Sequence, residues 1–243
     1  MMNSNPIRPP ALPVLTCTDL RRTYPTAGEP IVALVHATCV VERGQQIALM
    51  GPSGSGKSTL LHILAGIDHP SSGTISWPAL GDASSLRPGP VGVVFQSPSL
   101  LPPLTVVENV ALPLLLSGCS DNEATQRALE ALALLELNNL ADKLPEELSG
   151  GQAQRVAIAR VLASDPQLIL ADEPTGQLDH ESGAHVISML IAASDASGAA
   201  LIINTHDLSV AQRLAIRWTM HNGTLTTDQH CTERHSVETR SSC

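Results

Sequence analysis

The nine residues GPSGSGKST, positions 51 to 59, run Gly-x-x-x-x-Gly-Lys-Ser. Gly51, Gly54 and Gly56 let the backbone come close to a bulky anion. The N–H groups of Ser53, Gly54, Ser55, Gly56, Lys57 and Ser58 can wrap phosphate oxygens. Lys57 supplies a cation for β- and γ-phosphates, and the Ser58 hydroxyl suits Mg²⁺. Pro52 and Thr59 complete the segment. The apolar run QIALM precedes it and the helical stretch TLLHILAGI follows, which is the context such a cradle needs. The chemistry implied is binding of a nucleoside triphosphate with its metal.

A hydroxyl alone does not hold Mg²⁺, so a carboxylate is expected nearby. LILADEP supplies Asp172 as that ligand. Glu173 follows at once and, not being needed for the metal, can polarise an attacking water as general base. Gln96 closes another apolar run, where a neutral amide can touch the metal or the water. His206 follows the run LIIN and can donate a hydrogen bond to a γ-phosphate.

A second anion site lies about a hundred residues further on. In EELSGGQAQRVAIAR, Ser149, Gly150, Gly151 and Gln152 stand where a helix begins. Helix N-termini expose unpaired N–H groups and a partial positive charge. Why one domain should need two such sites is the question the sequence poses.

Four apolar runs position these groups: QIALM stops at Gly51, VGVVF at Gln96, LILA at Asp172, and LIIN leads to Thr205 and His206. Short continuous apolar runs suit strands buried on both faces, as in a parallel sheet. Ligands of open α/β sheets sit beyond the carboxyl ends of such strands. Four runs ending in candidate chemistry therefore predict one convergent site. Residues 14 to 48 alternate as a strand-rich lead-in with an RGQ turn, and residues 104 to 162 read as helical. Within them Ala128, Leu132 and Leu135 have helical spacing, with Asp121 or Asn122 as the expected cap. Residues 1 to 13 are a Pro-rich arm. Residues 226 to 243 are polar without periodicity and read as a disordered tail.

Composition narrows the function classes. Hydrophobic residues make up 43% and charged residues 15% of the 243, which excludes an intrinsically disordered chain. The net charge is −9 with histidine neutral, which argues against a nucleic-acid partner. No run of 18 apolar residues exists, so no spanning helix is expected. The five scattered cysteines fit a reducing compartment, and His230, Cys231 and His235 lack a second ligand pair for zinc.

With these residues in place the chain resembles the nucleotide-binding subunit of ABC transporters over about residues 14 to 225. The diagnostic elements come in order: Tyr24, the phosphate loop, Gln96, the signature LSGGQ at 148 to 152, LILADE, GQLD at 176 to 179, and His206. The resemblance implies an α/β fold: a P-loop NTPase core with a mainly parallel sheet, an N-terminal antiparallel β-subdomain, and a helical subdomain at about 100 to 160. It implies that Tyr24 stacks on adenine and that ATP and Mg²⁺ are bound. It implies a head-to-tail homodimer with two ATP molecules sandwiched, so that Ser149, Gly150 and Gly151 meet the γ-phosphate held by the other copy, and Asp179 couples the two sites. It further implies integral membrane permease subunits as partners and a peripheral, cytoplasmic position on the inner face of the membrane.

VVFQSPSLLPPLTVVENVALPLLL and LADEPTGQLD are similar to the group with macrolide exporters, lipoprotein-release ATPases and cell-division ATPases. Two roles follow from that group. One is ATP-driven export or extraction of a hydrophobic or lipid-linked substrate. The other is non-transporting control of a cell-wall hydrolase through a membrane partner. The DNA-repair ATPases that share the signature place coiled coils or zinc modules between loop and signature, and the interval here has neither. Several positions depart from the group's pattern: Gln177 for Asn, Ala153 for Gln, Asn204 for Val or Leu, and no Asp-Arg pair in RLAIRWTMHNGTL. The short segment from Gly73 to Gly92 predicts a trimmed antiparallel subdomain.

Overall fold

A computed structural model describes residues 11–227. Its strands are β1 (Leu15–Tyr24), β2 (Ile31–Val41), β3 (Gln46–Met50), β4 (Ser72–Ser76), β5 (Val91–Val94), β6 (Leu168–Asp172), β7 (Ala200–Asn204), β8 (Ile216–His221) and β9 (Thr224–Thr227). Its helices are α1 (Lys57–Leu64), α2 (Val106–Leu116), α3 (Asp121–Leu134), α4 (Gly150–Leu162), α5 (His180–Ser197) and α6 (Leu208–Ala211). The sheet order is β4-β1-β2-β9-β8-β3-β7-β6-β5.

The four apolar runs become β3, β5, β6 and β7, which pair in parallel with β8 at one side. Their side chains alternate between two cores. Leu168, Leu170, Ala200 and Ile202 join α1 on one face. Ile169, Ala171, Leu201 and Ile203 join α2 to α5 on the other. Burial on both faces is why these strands read as continuous apolar runs. Because these strands are parallel, the loops after β3, β5, β6 and β7 leave the same edge of the sheet.

β1, β2 and β4 form an antiparallel unit, joined to the parallel part where His36 of β2 meets Thr224 of β9. The segment after β4 holds a short 3₁₀ turn at Ala83–Ser85; the antiparallel unit keeps its three strands. Asn222-Gly223, both at positive φ, make the tight turn of the β8–β9 hairpin. β9 runs through Thr227, so Thr226 and Thr227 are strand residues and not part of a polar tail. The rest of that tail, with His230, Cys231 and His235, lies outside the described residues, as does most of the N-terminal arm.

α2 opens with a reciprocal cap between Thr105 and Glu108, a Thr-x-x-Glu box. α3 is capped by Ser120, whose side chain accepts from the Glu123 N–H. The expectation of Asp121 or Asn122 is corrected by one residue: both lie inside the helix, where their acidic or polar side chains join its first turn. Among the described residues no helix is long and apolar enough to cross a membrane.

Candidate nucleotide site

The phosphate loop joins β3 to α1, and its glycines are required by the chain itself. Gly56 sits at φ 100, and a Cβ there would lie 2.3 Å from the Ala33 carbonyl oxygen. At Gly51 a Cβ would lie 2.1 Å from the Met220 carbonyl oxygen. The loop is thus wedged between β2 and β8. Gly56 caps α1 with no side-chain hydrogen bond, so no side chain competes for the N–H groups of the helix's first turn. Lys57 is only 5% exposed. Its Nζ donates to the carbonyls of Gly51 and Pro52, each at 2.9 Å, which leaves one ammonium proton for a ligand.

Ser58 and Asp172 come together from distant parts of the chain: the Ser58 Oγ donates to Asp172 Oδ1 at 3.1 Å. A hydroxyl and a carboxylate side by side at the mouth of a phosphate loop are the hard oxygen donors that Mg²⁺ takes, so the residues present fit that ion. Gln96 is not hydrogen-bonded to either of them. Its amide lies against Gly176, where a Cβ would come 2.8 Å from Nε2.

Glu173 follows β6 with φ 45, a left-handed conformation that a non-glycine residue adopts at a cost of about 1–3 kcal/mol. It is held by two backbone bonds: its N–H donates to the Asn204 carbonyl, and its carbonyl accepts from the Gly176 N–H, both at 3.0 Å. His206 Nδ1 lies 3.7 Å from Glu173 Oε1, with the imidazole 72% exposed. Glu173 and His206 therefore stand together at the ends of adjacent strands.

Ile31, Val32, Ala33, Ser53, Gly54, Gly56, Lys57, Ser58, Thr59 and Glu173 line one cavity of about 250 Å³. That is below the roughly 300–1,000 Å³ of sites that enclose a small molecule. Ile31 and Val32 are exposed apolar residues that the sequence reading did not place here. The only signal was their position at the start of the strand beside the loop. Tyr24 lies outside this lining. Its hydroxyl donates to Asp68 Oδ2 at 2.7 Å, and the Arg22 guanidinium covers its ring at 4.4 Å. Burial pushes the Asp68 carboxyl up, but the Tyr24 hydroxyl, the His69 N–H and Arg22 outweigh it and hold the group below its ordinary value.

The signature residues form a separate pocket of about 230 Å³, lined by Ser149, Gly151, Gln152, Arg155, Glu181, Ser182 and His185. It shares no residue with the first. Ser149 caps α4: its Oγ accepts from the Gln152 N–H at 3.3 Å, and Gln152 Oε1 accepts from the Ser149 N–H at 2.9 Å. Gly150 and Gly151, the first two helical residues, keep their N–H groups. A Cβ at either would meet side chains and no backbone. A Cβ at Gly150 would meet nothing nearer than Leu178 at 4.0 Å, and one at Gly151 would meet the rotatable Ser182 hydroxyl at 3.3 Å.

Asp179 caps α5 by accepting from the Ser182 N–H at 2.9 Å, and that bond holds its carboxyl below the ordinary value. With Glu173, Thr205 and His206 it lines a third cavity. α4 is tied to the loop after β5: Gln154 Nε2 donates to the Phe95 carbonyl, and Arg160 donates to the carbonyls of Pro98 and Ser99, all at 3.0 Å. Sequence reasoning missed Gln154 and Arg160, because two helical residues facing a loop leave no mark in spacing.

Residues 34–176 match the ABC transporter family. The chain belongs to that family. It is 41% identical over 220 residues to the lipoprotein-releasing system ATP-binding protein LolD of Blochmanniella floridana, a match covering 88% of this chain and 94% of that one. It is 38% identical over 224 residues to LolD of Idiomarina loihiensis, covering 89% and 98%. Among solved structures it is similar to the ATP-binding cassette MJ0796 as a post-hydrolysis dimer bound to ADP and Pi. There the TM-score is 0.79 with 36% identity, over 88% of this chain and 98% of that one. This ABC subunit is accordingly an ATPase with the P-loop NTPase fold that its sequence implies, including the antiparallel and helical parts.

Proposed function

We propose that two copies of this subunit clamp two ATP molecules head to tail and use their hydrolysis to drive a separate membrane permease. The observation that carries this reading is the mismatch between the two anion sites. In the phosphate loop Gly51 and Gly56 are needed for the chain's own packing, while a Cβ at Gly150 would meet nothing nearer than 4.0 Å and one at Gly151 only the rotatable Ser182 hydroxyl at 3.3 Å. Glycines that the chain itself does not need fit the close approach of something external, and the solved relative is a dimer. Each cavity is then half of a composite site.

In that site the loop N–H groups and Lys57 hold the phosphates, and Tyr24, backed by Arg22, stacks on adenine. Ser58 and Asp172, with Gln96, would hold Mg²⁺, which would supply positive charge to offset that of the phosphates. Glu173 takes a proton from the attacking water, and His206 donates toward the γ-phosphate. The other copy's signature N–H groups complete the anion cage, so phosphate release removes what holds the two copies together.

The permease reading is supported by a groove beside β5, lined by Arg87, Phe95, Leu112, Leu116 and Arg160 among others, with Leu116 71% exposed. It lies next to Gln96 and is tied to α4 through Arg160, which gives a partner a route to both halves of the site. The lipoprotein-releasing relatives support a hydrophobic or lipid-linked substrate and export or extraction. Glu173→Gln tests the reading: turnover is expected to fall by about 100- to 10,000-fold, while the variant elutes as a dimer in ATP. A variant that stays monomeric in ATP contradicts the sandwich.

A further inference from the structure

Asn204 is a polar residue closing an otherwise apolar buried strand, and the fold gives it a setting. It is the last residue of β7, in parallel register with Asp172, the last residue of β6. Alternation places both on the face of the sheet that packs against α1, the helix that carries Ser58. Asn204 is 1% exposed, and its Nδ2 donates to Asp172 Oδ1. The same oxygen accepts from Ser58 Oγ. The amide nitrogen must be the end that faces a carboxylate, since an amide oxygen there would repel it. The other end, Oδ1, is buried with no hydrogen-bond partner among the described residues. The backbone carbonyl of the same residue accepts from the Glu173 N–H. One residue thus holds the Asp172 carboxylate by its side chain and the Glu173 backbone by its carbonyl.

Burying an amide where an apolar side chain fits is unfavourable unless its hydrogen bonds serve something. Asp172 has two donors here, and one of them, Ser58, is itself a candidate metal ligand. Once that hydroxyl turns to a cation, Asn204 is the side-chain donor that remains to fix the carboxylate. Partners of this kind orient a ligating carboxylate and raise its affinity for the metal.

We infer that Asn204 is a positioning residue for Asp172, holding its carboxylate toward Ser58 and strengthening divalent-cation binding relative to an apolar residue at that place. The inference rests on the proposed reading of Ser58 and Asp172 as the cation site. Asn204→Val and Asn204→Thr have nearly the same shape and differ in one hydroxyl donor, so the pair separates hydrogen bonding from packing. Mn²⁺ binding to the full chain with a non-hydrolysable ATP analogue, read by electron paramagnetic resonance, is compared with analogue affinity in EDTA. Asn204→Val is expected to raise half-saturating Mn²⁺ about tenfold, with Asn204→Thr within about twofold of the parent and the EDTA affinities equal. If Val and Thr both match the parent while Asp172→Asn weakens Mn²⁺ binding, or if Val and Thr weaken it equally, the inference is overturned. If Asp172→Asn leaves Mn²⁺ binding unchanged, the cation-site reading itself fails, and the inference with it.

Discussion

The phosphate loop and the signature segment are both glycine-rich helix N-termini, built in opposite ways. At α1 the cap is Gly56, with no side-chain hydrogen bond, and Gly51 and Gly56 are locked by carbonyls of neighbouring strands. At α4 two side chains, Ser149 and Gln152, cap the helix reciprocally, and no backbone atom crowds the two glycines beside them. The first is a cradle shaped by its own chain. The second has satisfied its own needs and holds two N–H groups and a helix dipole in reserve. A helix end shaped beyond the requirements of its own chain is the mark of a surface meant to be met.

The largest effect expected from breaking this contrast is at Gly56. Gly56→Ala forces a Cβ against the Ala33 carbonyl in a conformation that only glycine adopts easily. ATP binding, measured by equilibrium dialysis, is expected to weaken by about 100-fold or more, and Lys57→Ala should do the same by removing the cation. Gly150→Ala is the counterpart. It has room in its own chain and improves helix propensity, so P-loop binding and stability are expected to hold while ATP-driven dimerisation weakens. If Gly150→Ala impairs ATP binding to the isolated subunit, the contrast is wrong.

Ser149→Ala removes one arm of the capping box, which is worth about 1 kcal/mol. A fall in melting temperature of about 2–4 °C is expected for a chain of this size, with nucleotide affinity at the loop unchanged. The smallest effect is on pH dependence. Asp179 is depressed by its bond to the Ser182 N–H, and Glu108 by its bonds to Thr105. A depressed carboxylate stabilises the fold above its unfolded pKa, and that contribution fades as pH falls through the folded value. Thermal stability should therefore decline on the acid side of the ordinary carboxylate range, and Asp179→Asn should flatten that decline.

The parts of this molecule legible in its sequence are those that act along the chain. β3, β5, β6 and β7 were visible because burial on both faces leaves unbroken apolar runs, and the chemistry at their ends followed from where those runs stop. What acts across the chain was not visible. The pairing of Asn204 with Asp172 is a register between two strands. The Tyr24–Asp68–Arg22 cluster joins a strand end to the segment after α1. Gln154 reaches a carbonyl on another element. The cap of α3 was misplaced by one residue because Ser120, Asp121 and Asn122 are all good caps, and only backbone geometry chooses among them. Gln96 lies against Gly176, a position set by the packing of two loops and not by spacing along the chain.

The central claim is that an active site is assembled from the loop of one copy and the signature of the other. The most direct measurement mixes two variants in a Glu173→Gln background, one with Lys57→Ala and one with Ser149→Arg, carrying different tags. Each alone lacks one half of every composite site, and size exclusion in ATP is expected to show monomers. Mixed, the intact loop of the Ser149→Arg chain can meet the intact signature of the Lys57→Ala chain, and an ATP-dependent heterodimer carrying both tags is expected. A Ser149→Arg chain that dimerises by itself in ATP, or a mixture that stays monomeric, would contradict the account.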